Sequence, residues 1–233
     1  MRTRTDRHST TQRSDTLLVL LPPALANIDD FEEQGFVSAV RQRQLPVDLL
    51  LADVTAQHVL DHRVVAALAE QVLQPARANG YRSIWLAGIS LGAFNALHCA
   101  AHHADQLAGL YLMAPYPGTA DVVAEIRAAG GAARWCQQPL SAQDERIWWQ
   151  WLGQQSLQAQ WPTPVYFATG ATDRFLKGQR LLADLLPPER VRILPGDHQW
   201  PTWKALWEDW LDHGPLAHWP ADAPTATITI INN

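Results

Sequence analysis

The chain has 233 residues, of which 47% are hydrophobic, enough for a sizeable core and one large domain. Its formal net charge is −5, and no Lys/Arg-rich block follows residues 1–13, which argues against nucleic acid or an anionic membrane surface as the main partner. Two cysteines, Cys99 and Cys136, are too few for a disulfide framework and are typical of reduced cytosolic thiols. No apolar run reaches the length of a membrane span.

The N-terminal region combines a polar segment with a short apolar one. Residues 1–14 are rich in Arg, Thr and Ser, which predicts a disordered tail. Residues 16–26 resemble a signal peptide that ends in an A-x-A site, but Asp15 adjoins the short apolar run and two prolines interrupt it. Cleavage would also remove the first predicted strand. We therefore predict a cytoplasmic protein, with export as the alternative.

Short apolar runs alternate with helical periodicity along residues 15–114 and 162–214, which we predict to form one core. The predicted strands are 17–21, 47–52, 83–87, 107–113, 164–169 and 190–194. The predicted helices are 30–43, 62–79 with a kink at Pro75, 91–102, 174–186 and 201–212. This alternation predicts an α/β fold with a mostly parallel central sheet and helices on both faces.

Residues 115–161 interrupt the alternation with helical patterns and no clear strand, which predicts a short helical cap. The segment holds five tryptophans: Trp135, Trp148, Trp149, Trp151 and Trp161. Because positions 148, 149 and 151 cannot all share one helix face, Trp148 and Trp149 are candidates for lining a substrate pocket. Packing of the cap on the body, or a dimer contact, is the alternative. Residues 215–233 are predicted to be a tail in which 225–231 could add an edge strand or stay loose.

The stretch Gly88-Ile89-Ser90-Leu91-Gly92 lies between a predicted strand and a predicted helix. A sharp strand-to-helix turn crowds the backbone two residues before and after its apex, and only small residues fit there. The following helix directs its positive N-terminal end at the serine oxygen. We therefore predict that Ser90 is a nucleophile, with a plain tight turn as the alternative.

Two further residues could activate this serine. Asp173 follows the strand predicted at 164–169, and His198 follows the strand predicted at 190–194. Both therefore fall at the carboxyl ends of strands, where α/β sheets place their sites. Each has a structural alternative, since Asp173 could cap a helix and His198 could be an ordinary loop residue. The order Ser, Asp, His at three strand ends favours a catalytic triad.

An acyl-transfer site also needs backbone N–H groups that hold an oxyanion. Leu91, which directly follows the serine, is one candidate donor. The other should come from the loop after the first predicted strand, where two prolines lack an N–H. Ala24 is the first residue there that can donate, and Leu25 is the second. Leu25 and Ile89 are also predicted to contact substrate.

Other polar residues have simpler explanations. His98 and His102 have the i, i+4 spacing of zinc ligands, but no third ligand and no H-E-x-x-H glutamate accompany them. A favourable interaction with the helix C-terminus explains both better, so we predict no metal and no cofactor. Asp30 is predicted to cap a helix, with Glu33 completing an imperfect capping box, and Cys99 is predicted to be a core residue.

Over about residues 16–213 the chain resembles the α/β-hydrolase superfamily, in particular small bacterial esterase-like proteins. The resemblance is carried by Gly88-Ile89-Ser90-Leu91-Gly92, Gly170-Ala171-Thr172-Asp173 and Gly196-Asp197-His198. The chain departs at Leu21-Pro22-Pro23-Ala24, where many members have a His-Gly-containing loop. The resemblance implies hydrolysis of a small-molecule ester or thioester through an acyl-enzyme. An acyltransferase on the same triad and a non-catalytic ligand-binding protein on the same fold remain open.

Overall fold

The computed structural model describes residues 1–11, 14–54, 58, 61–136, 139–141 and 144–218, in which seven strands form one sheet. The strands are β1 (Thr3–Asp6), β2 (Thr16–Leu21), β3 (Asp48–Ala52), β4 (Ser83–Ile89), β5 (Gly109–Met113), β6 (Val165–Gly170) and β7 (Val191–Leu194). Their order is β1-β3-β2-β4-β5-β6-β7, and all neighbours are parallel except β1 and β3. The predicted mostly parallel sheet is confirmed, and each predicted strand is present with small shifts at its ends.

Helices connect the strands and cover the sheet. They are α1 (Ile28–Glu33), α2 (Phe36–Gln42), α3 (Val64–Leu68), α4 (Gln74–Ala78), α5 (Leu91–His103), α6 (Ala120–Ala128), α7 (Ala132–Trp135), α8 (Ile147–Gln158), α9 (Leu176–Ala183) and α10 (Trp200–His213). A π-helical turn, Ala69–Leu73, joins α3 to α4. No helix within the described ranges has the length and apolar character needed to cross a bilayer.

The core has two layers, one on each face of the sheet. Along β2, Leu17 and Val19 belong to the cluster with α3–α5, whereas Leu18 and Leu20 belong to the cluster with α1, α2 and α10. This division follows from the period of two in a strand. Burying each such side chain contributes about 1.5–3 kcal/mol. The last helix buries four apolar residues that recur with helical spacing: Trp203, Leu206, Trp207 and Trp210.

The prediction of a disordered tail at residues 1–14 is wrong, because Thr3–Asp6 forms the edge strand β1. It pairs antiparallel with β3, with Thr3 opposite Ala52 and Asp6 opposite Leu49. The strand carries no apolar pattern, since its side chains alternate between exposed and half-buried, and period-two hydrophobicity therefore could not reveal it. The signal-like segment supplies β2, which lies between β3 and β4.

Two predicted helices differ from the structure for local reasons. The helix expected at 30–43 is split into α1 and α2 by Gly35, whose φ of 75° is left-handed. Its cap is Asn27 rather than Asp30, and Asp30 is instead the N3 partner in a capping box. In the helix expected at 62–79, the π turn ends two residues before Pro75, whose missing N–H interrupts the i→i−4 ladder.

The 115–161 segment forms α6, α7 and α8, and α8 packs on α5. Trp135, Trp148 and Trp149 are buried in the same cluster as the sheet residues on that face. The segment therefore shares the core of the body. At the C-terminus, residues Pro215–His218 form a short 3-10 turn. The edge strand considered for 225–231 lies outside the described residues.

Candidate active site

Ser90 lies at the turn between β4 and α5 in an unusual backbone conformation. Its φ is 51° and its ψ −110°, which is strained for a residue with a Cβ and costs on the order of 1–3 kcal/mol. A Cβ on Gly88 would lie 2.4 Å from the carbonyl carbon of Gly92, and one on Gly92 would lie 2.1 Å from the Leu21 oxygen. Glycine at both positions is thus required by space, as the sequence motif predicted.

The strained backbone of Ser90 is held from three sides. Its N–H donates to the Met113 carbonyl at the end of β5, at 2.9 Å. Its carbonyl accepts from Phe94 N in the first turn of α5 and from Tyr116 N after β5, each at 3.1 Å. These bonds join β4, β5 and α5 at one point, so the backbone of Ser90 is held in its strained conformation.

The structure brings together the three residues predicted to form a triad. His198 Nε2 lies 2.9 Å from Ser90 Oγ, and His198 Nδ1 lies 2.7 Å from Asp173 Oδ2. All three residues are buried, with exposed fractions of only 5–6%. The histidine ring is packed edge-on between Phe175 and Trp203, with ring centres 5.0 and 5.1 Å away. The ring can therefore exchange a proton with the serine while its other nitrogen stays bonded to the carboxylate.

The carboxylate of Asp173 is fixed by a second contact. Its Oδ1 accepts from the Phe175 N–H at 2.8 Å. Burial raises the pKa of Asp173, but the hydrogen bonds from His198 and the Phe175 amide outweigh it, so the pKa lies below its usual range. Asp173 therefore stays ionised and can stabilise a cationic histidine. It does not cap α9, whose N-cap is Phe175.

The loops that carry Asp173 and His198 are tied together through the carbonyl of Gly196. That carbonyl accepts from Thr172 N at 2.9 Å and from Thr172 Oγ1 at 2.8 Å. Asp197 is next to His198 in the chain, but its N–H donates to Thr202 Oγ1 and its carboxylate accepts from the same hydroxyl. Asp197 is thus a turn residue.

The two predicted oxyanion donors lie on adjoining segments. Leu91 is the first residue of α5, and an N–H in the first turn of a helix has no intrahelical acceptor. The loop after β2 approaches that turn closely, because the Leu21 and Pro22 carbonyls lie against Gly92. In this loop Ala24 is exposed, and Leu25 has a left-handed φ of 65°.

Solved structures resemble this fold over 86–94% of the chain. Est1E from Butyrivibrio proteoclasticus superposes with a TM-score of 0.59 at 15% identity, covering 91% of this chain and 93% of its own. FphF, a fluorophosphonate-binding serine hydrolase of Staphylococcus aureus, gives 0.57 at 12% identity over 86% and 83%. Monoacylglycerol lipase from Paleococcus ferrophilus gives 0.57 at 14% identity over 94% and 100%. No protein-family model and no curated protein matches the chain.

The chain has the α/β-hydrolase fold. At identities of 12–15% the likeness establishes architecture alone. Within this fold, Ser90, Asp173 and His198 lie at the carboxyl ends of β4, β6 and β7, the edge of the sheet where α/β folds place their sites.

The residues predicted to contact substrate have different environments. Leu25 is fully exposed, and its side chain is free to meet a ligand. Ile89, Trp148 and Trp149 have no exposed surface, contrary to the expectation that they line a pocket. The two indoles stack at 4.3 Å, and Trp149 Nε1 donates to the Pro117 carbonyl. Their part in the α/β-hydrolase fold is to anchor α8 to the core.

Three half-buried aromatic residues beside the triad escaped the sequence analysis; we call Phe94, Tyr116 and Phe175 the aromatic rim. The Phe94 and Tyr116 ring centres are 5.7 Å apart, and those of Tyr116 and Phe175 are 5.3 Å apart. Phe175 also contacts His198, and the Arg174 guanidinium lies 4.8 Å above its ring. Sequence spacing could have identified two of them as neighbours of the site. Phe94 follows Ser90 by one helical turn, and Phe175 follows Asp173 by two residues.

The two histidines on α5, His98 and His102, have different environments. Among the described residues, no group of three or more His, Cys, Asp or Glu side chains could hold a metal ion. Burial lowers the pKa of His98 to about 4, and its ring contacts Phe94 at 4.7 Å, whereas His102 is exposed. Cys99 is a core residue, as predicted, and burial raises the pKa of its thiol to about 12.

Proposed function

We propose that this protein is a serine hydrolase that cleaves carboxylic ester or thioester bonds through an acyl-enzyme. The observation that carries the proposal is the continuous hydrogen-bonded chain from Ser90 Oγ through His198 to Asp173, located at a strained strand-to-helix turn. A serine hydroxyl is a weak nucleophile unless a base takes its proton, and His198 Nε2 is in position to do so.

In the first half of the reaction, Ser90 Oγ attacks the substrate carbonyl and its proton passes to His198 Nε2. Asp173 holds the ring through Nδ1 and stabilises its cationic form. The oxyanion accepts hydrogen bonds from the Leu91 and Ala24 N–H groups. When the tetrahedral intermediate collapses, the bond to the alcohol or thiol breaks, and that leaving group takes the proton from His198.

In the second half, water replaces the alcohol. His198 accepts a proton from water as its oxygen attacks the acyl carbon, and a second oxyanion forms in the same place. Collapse breaks the bond to Ser90 Oγ, which recovers its proton from His198. The products are the free acid and the resting enzyme, and no external cofactor enters the balance.

The surroundings of the triad favour a small ester with an apolar group. The aromatic rim places half-buried rings beside Ser90 and His198, which suits an acyl or aryl substituent. Ferulic acid is bound to Est1E, one of the proteins with a similar structure. We therefore expect short acyl and aryl esters to be hydrolysed.

The decisive experiment is covalent labelling with a fluorophosphonate, together with turnover of p-nitrophenyl esters from acetate to octanoate. We expect wild type to be labelled on the peptide that contains Ser90 and to release p-nitrophenol. Ser90→Ala and His198→Ala should lose both properties, because the nucleophile or its base is missing.

Ser38→Ala is the matched control, since Ser38 is an exposed serine of α2 that bonds only the local Gly35 carbonyl. It should be labelled and turn over ester like wild type. A wild-type protein that is folded, but neither labelled nor active on any ester, would contradict the proposal and favour a ligand-binding role.

A further inference from the structure

Asp53 directly follows β3, at the same edge of the sheet as the triad, but the proposed reaction does not use it. Its side chain is only 12% exposed. Oδ1 accepts from the N–H of Ile28, the first residue of α1, at 2.8 Å, and Oδ2 accepts from Arg2 Nε at 2.7 Å. A carboxylate so deeply buried needs such partners, because leaving it unpaired would be costly.

Arg2 extends this contact to the loop before α1. Its Nη2 atom donates to Asn27 Oδ1 at 2.9 Å, and its Nη1 atom donates to Asp29 Oδ2 at 3.0 Å. Its carbonyl accepts from the Asp53 N–H at 2.9 Å. One guanidinium, on the residue that precedes β1, therefore joins the end of β3 to the cap of α1, a use for which the fork of Arg is suited.

Asn27 and Ile28 end the loop that begins at Pro22 and contains Ala24. At its other end, the loop is fixed where the Leu21 and Pro22 carbonyls lie against Gly92. Between these two anchors, Ala24 and Leu25 are exposed, and Leu25 adopts its left-handed conformation with a fully exposed side chain. Within the loop, the Ala26 N–H donates to the Pro23 carbonyl at 3.3 Å and closes a turn around these two residues. The two anchors fix where the segment that carries this turn begins and ends.

We propose that Arg2 and Asp53 are positioning residues for the oxyanion loop, by which we mean residues 22–27. The inference rests on the proposed function, in which Ala24 donates to the oxyanion. Because the oxyanion forms only in the transition state, a displaced loop should lower kcat and leave KM nearly unchanged.

The test measures the loop and the reaction in the same full-length variants, Arg2→Gln and Asp53→Asn. In Asp53→Asn the side-chain oxygen still accepts from the Ile28 N–H. The side-chain amide nitrogen then faces Arg2 Nε, and because both are donors, the hydrogen bond to Arg2 is lost. We expect faster amide hydrogen exchange across residues 21–30 in both variants. We also expect kcat to fall about tenfold, with the pH midpoint of kcat/KM unchanged, because neither residue contacts His198. The double variant should lose little more than either single one.

Arg4→Gln is the matched control, since Arg4 lies on β1 two residues after Arg2 and pairs with Asp29 and Glu32 of α1 but not with Asn27 or Asp53. It should keep wild-type loop exchange and kcat. Arg2→Lys, which keeps the charge but not the fork, should recover part of the loss.

The proposal is overturned if Arg2→Gln and Asp53→Asn exchange and react like wild type, or if Arg4→Gln loses as much as Arg2→Gln. A folded wild type without turnover would instead contradict the proposed function. In that case the exchange comparison would still decide whether the two residues hold the loop.

Discussion

His198 Nε2 lies 2.9 Å from Ser90 Oγ, although 108 positions separate the two residues in the chain. The other ring nitrogen is bonded to Asp173, which precedes the histidine by 25 positions. If Nδ1 carries the proton that Asp173 accepts, Nε2 is left as the acceptor for the serine hydroxyl. We infer that the carboxylate favours the tautomer in which Nε2 accepts from the serine hydroxyl.

Replacing this carboxylate tests that relationship. In Asp173→Asn the amide can donate to Nδ1 and favour the wrong tautomer, so we expect kcat for p-nitrophenyl acetate to fall by roughly 10³–10⁴. Asp197→Asn is the control, because Asp197 adjoins His198 but bonds Thr202. It should retain wild-type rates. Equal rates in the two variants would argue against a role for Asp173 in the tautomer.

A second prediction concerns the space around the nucleophile. The Cβ of Gly92→Ala would lie 2.1 Å from the Leu21 oxygen and 2.7 Å from the Pro22 oxygen, both backbone atoms that cannot rotate away. We expect a loss of unfolding free energy of about 2–4 kcal/mol, together with the loss of most esterase activity. Urea denaturation and initial rates measure the two effects.

Gly131→Ala provides the comparison, because nothing lies within 4 Å of the added Cβ although φ is 107°. Its cost should be the backbone strain alone, about 1 kcal/mol, with activity retained. A Gly92→Ala protein as stable and active as Gly131→Ala would show that the turn relaxes easily.

A third prediction concerns the dependence of stability on pH. The pKa of His98 is about 4 in the folded protein, against 6.5 for an ordinary histidine, so the unfolded chain binds a proton first as the pH falls. Stability should therefore decline from pH 6.5 to pH 4 by on the order of 2 kcal/mol from this group, after allowance for partial exposure. His98→Gln should flatten that decline, measured as the thermal midpoint against pH.

The exposed His102, one turn further along α5, is the control for this titration. His102→Gln should leave most of the decline in place, because a solvated imidazole changes its pKa less on folding. A pH profile of His98→Gln that parallels wild type would refute the assignment to His98.

A fourth prediction concerns the aromatic rim. Phe175→Ala removes a ring that packs against both Tyr116 and His198, so we expect kcat/KM for aryl esters to fall roughly tenfold or more, with a smaller loss for acetate. Leu157→Ala removes an equally apolar but exposed side chain near the end of α8 and should change neither substrate. Equal losses for aryl and acetyl esters in Phe175→Ala would mean that the ring positions His198 rather than substrate.

Several features of this protein follow from the sequence because they depend on local patterns. Continuous apolar runs are required for strands buried on both faces, and parallel strands present their carboxyl ends at one edge of the sheet. Ser90, Asp173 and His198 could therefore be placed at one edge before any contact was known. Gly88 and Gly92 mark the turn because no other residue fits the space.

Other features were decided only by tertiary contacts. Strand β1 has no apolar pattern and forms because its backbone pairs with β3, while Arg4 within it binds α1 and Arg2 just before it binds α1 and Asp53. Trp148 and Trp149 suggested a pocket from their spacing, but α8 packs on α5 and buries both. Whether a strand finds a pairing partner, or a tryptophan becomes buried, depends on which distant parts of the chain pack together. Local propensity is the same for a buried and for an exposed position, so it does not reveal this packing.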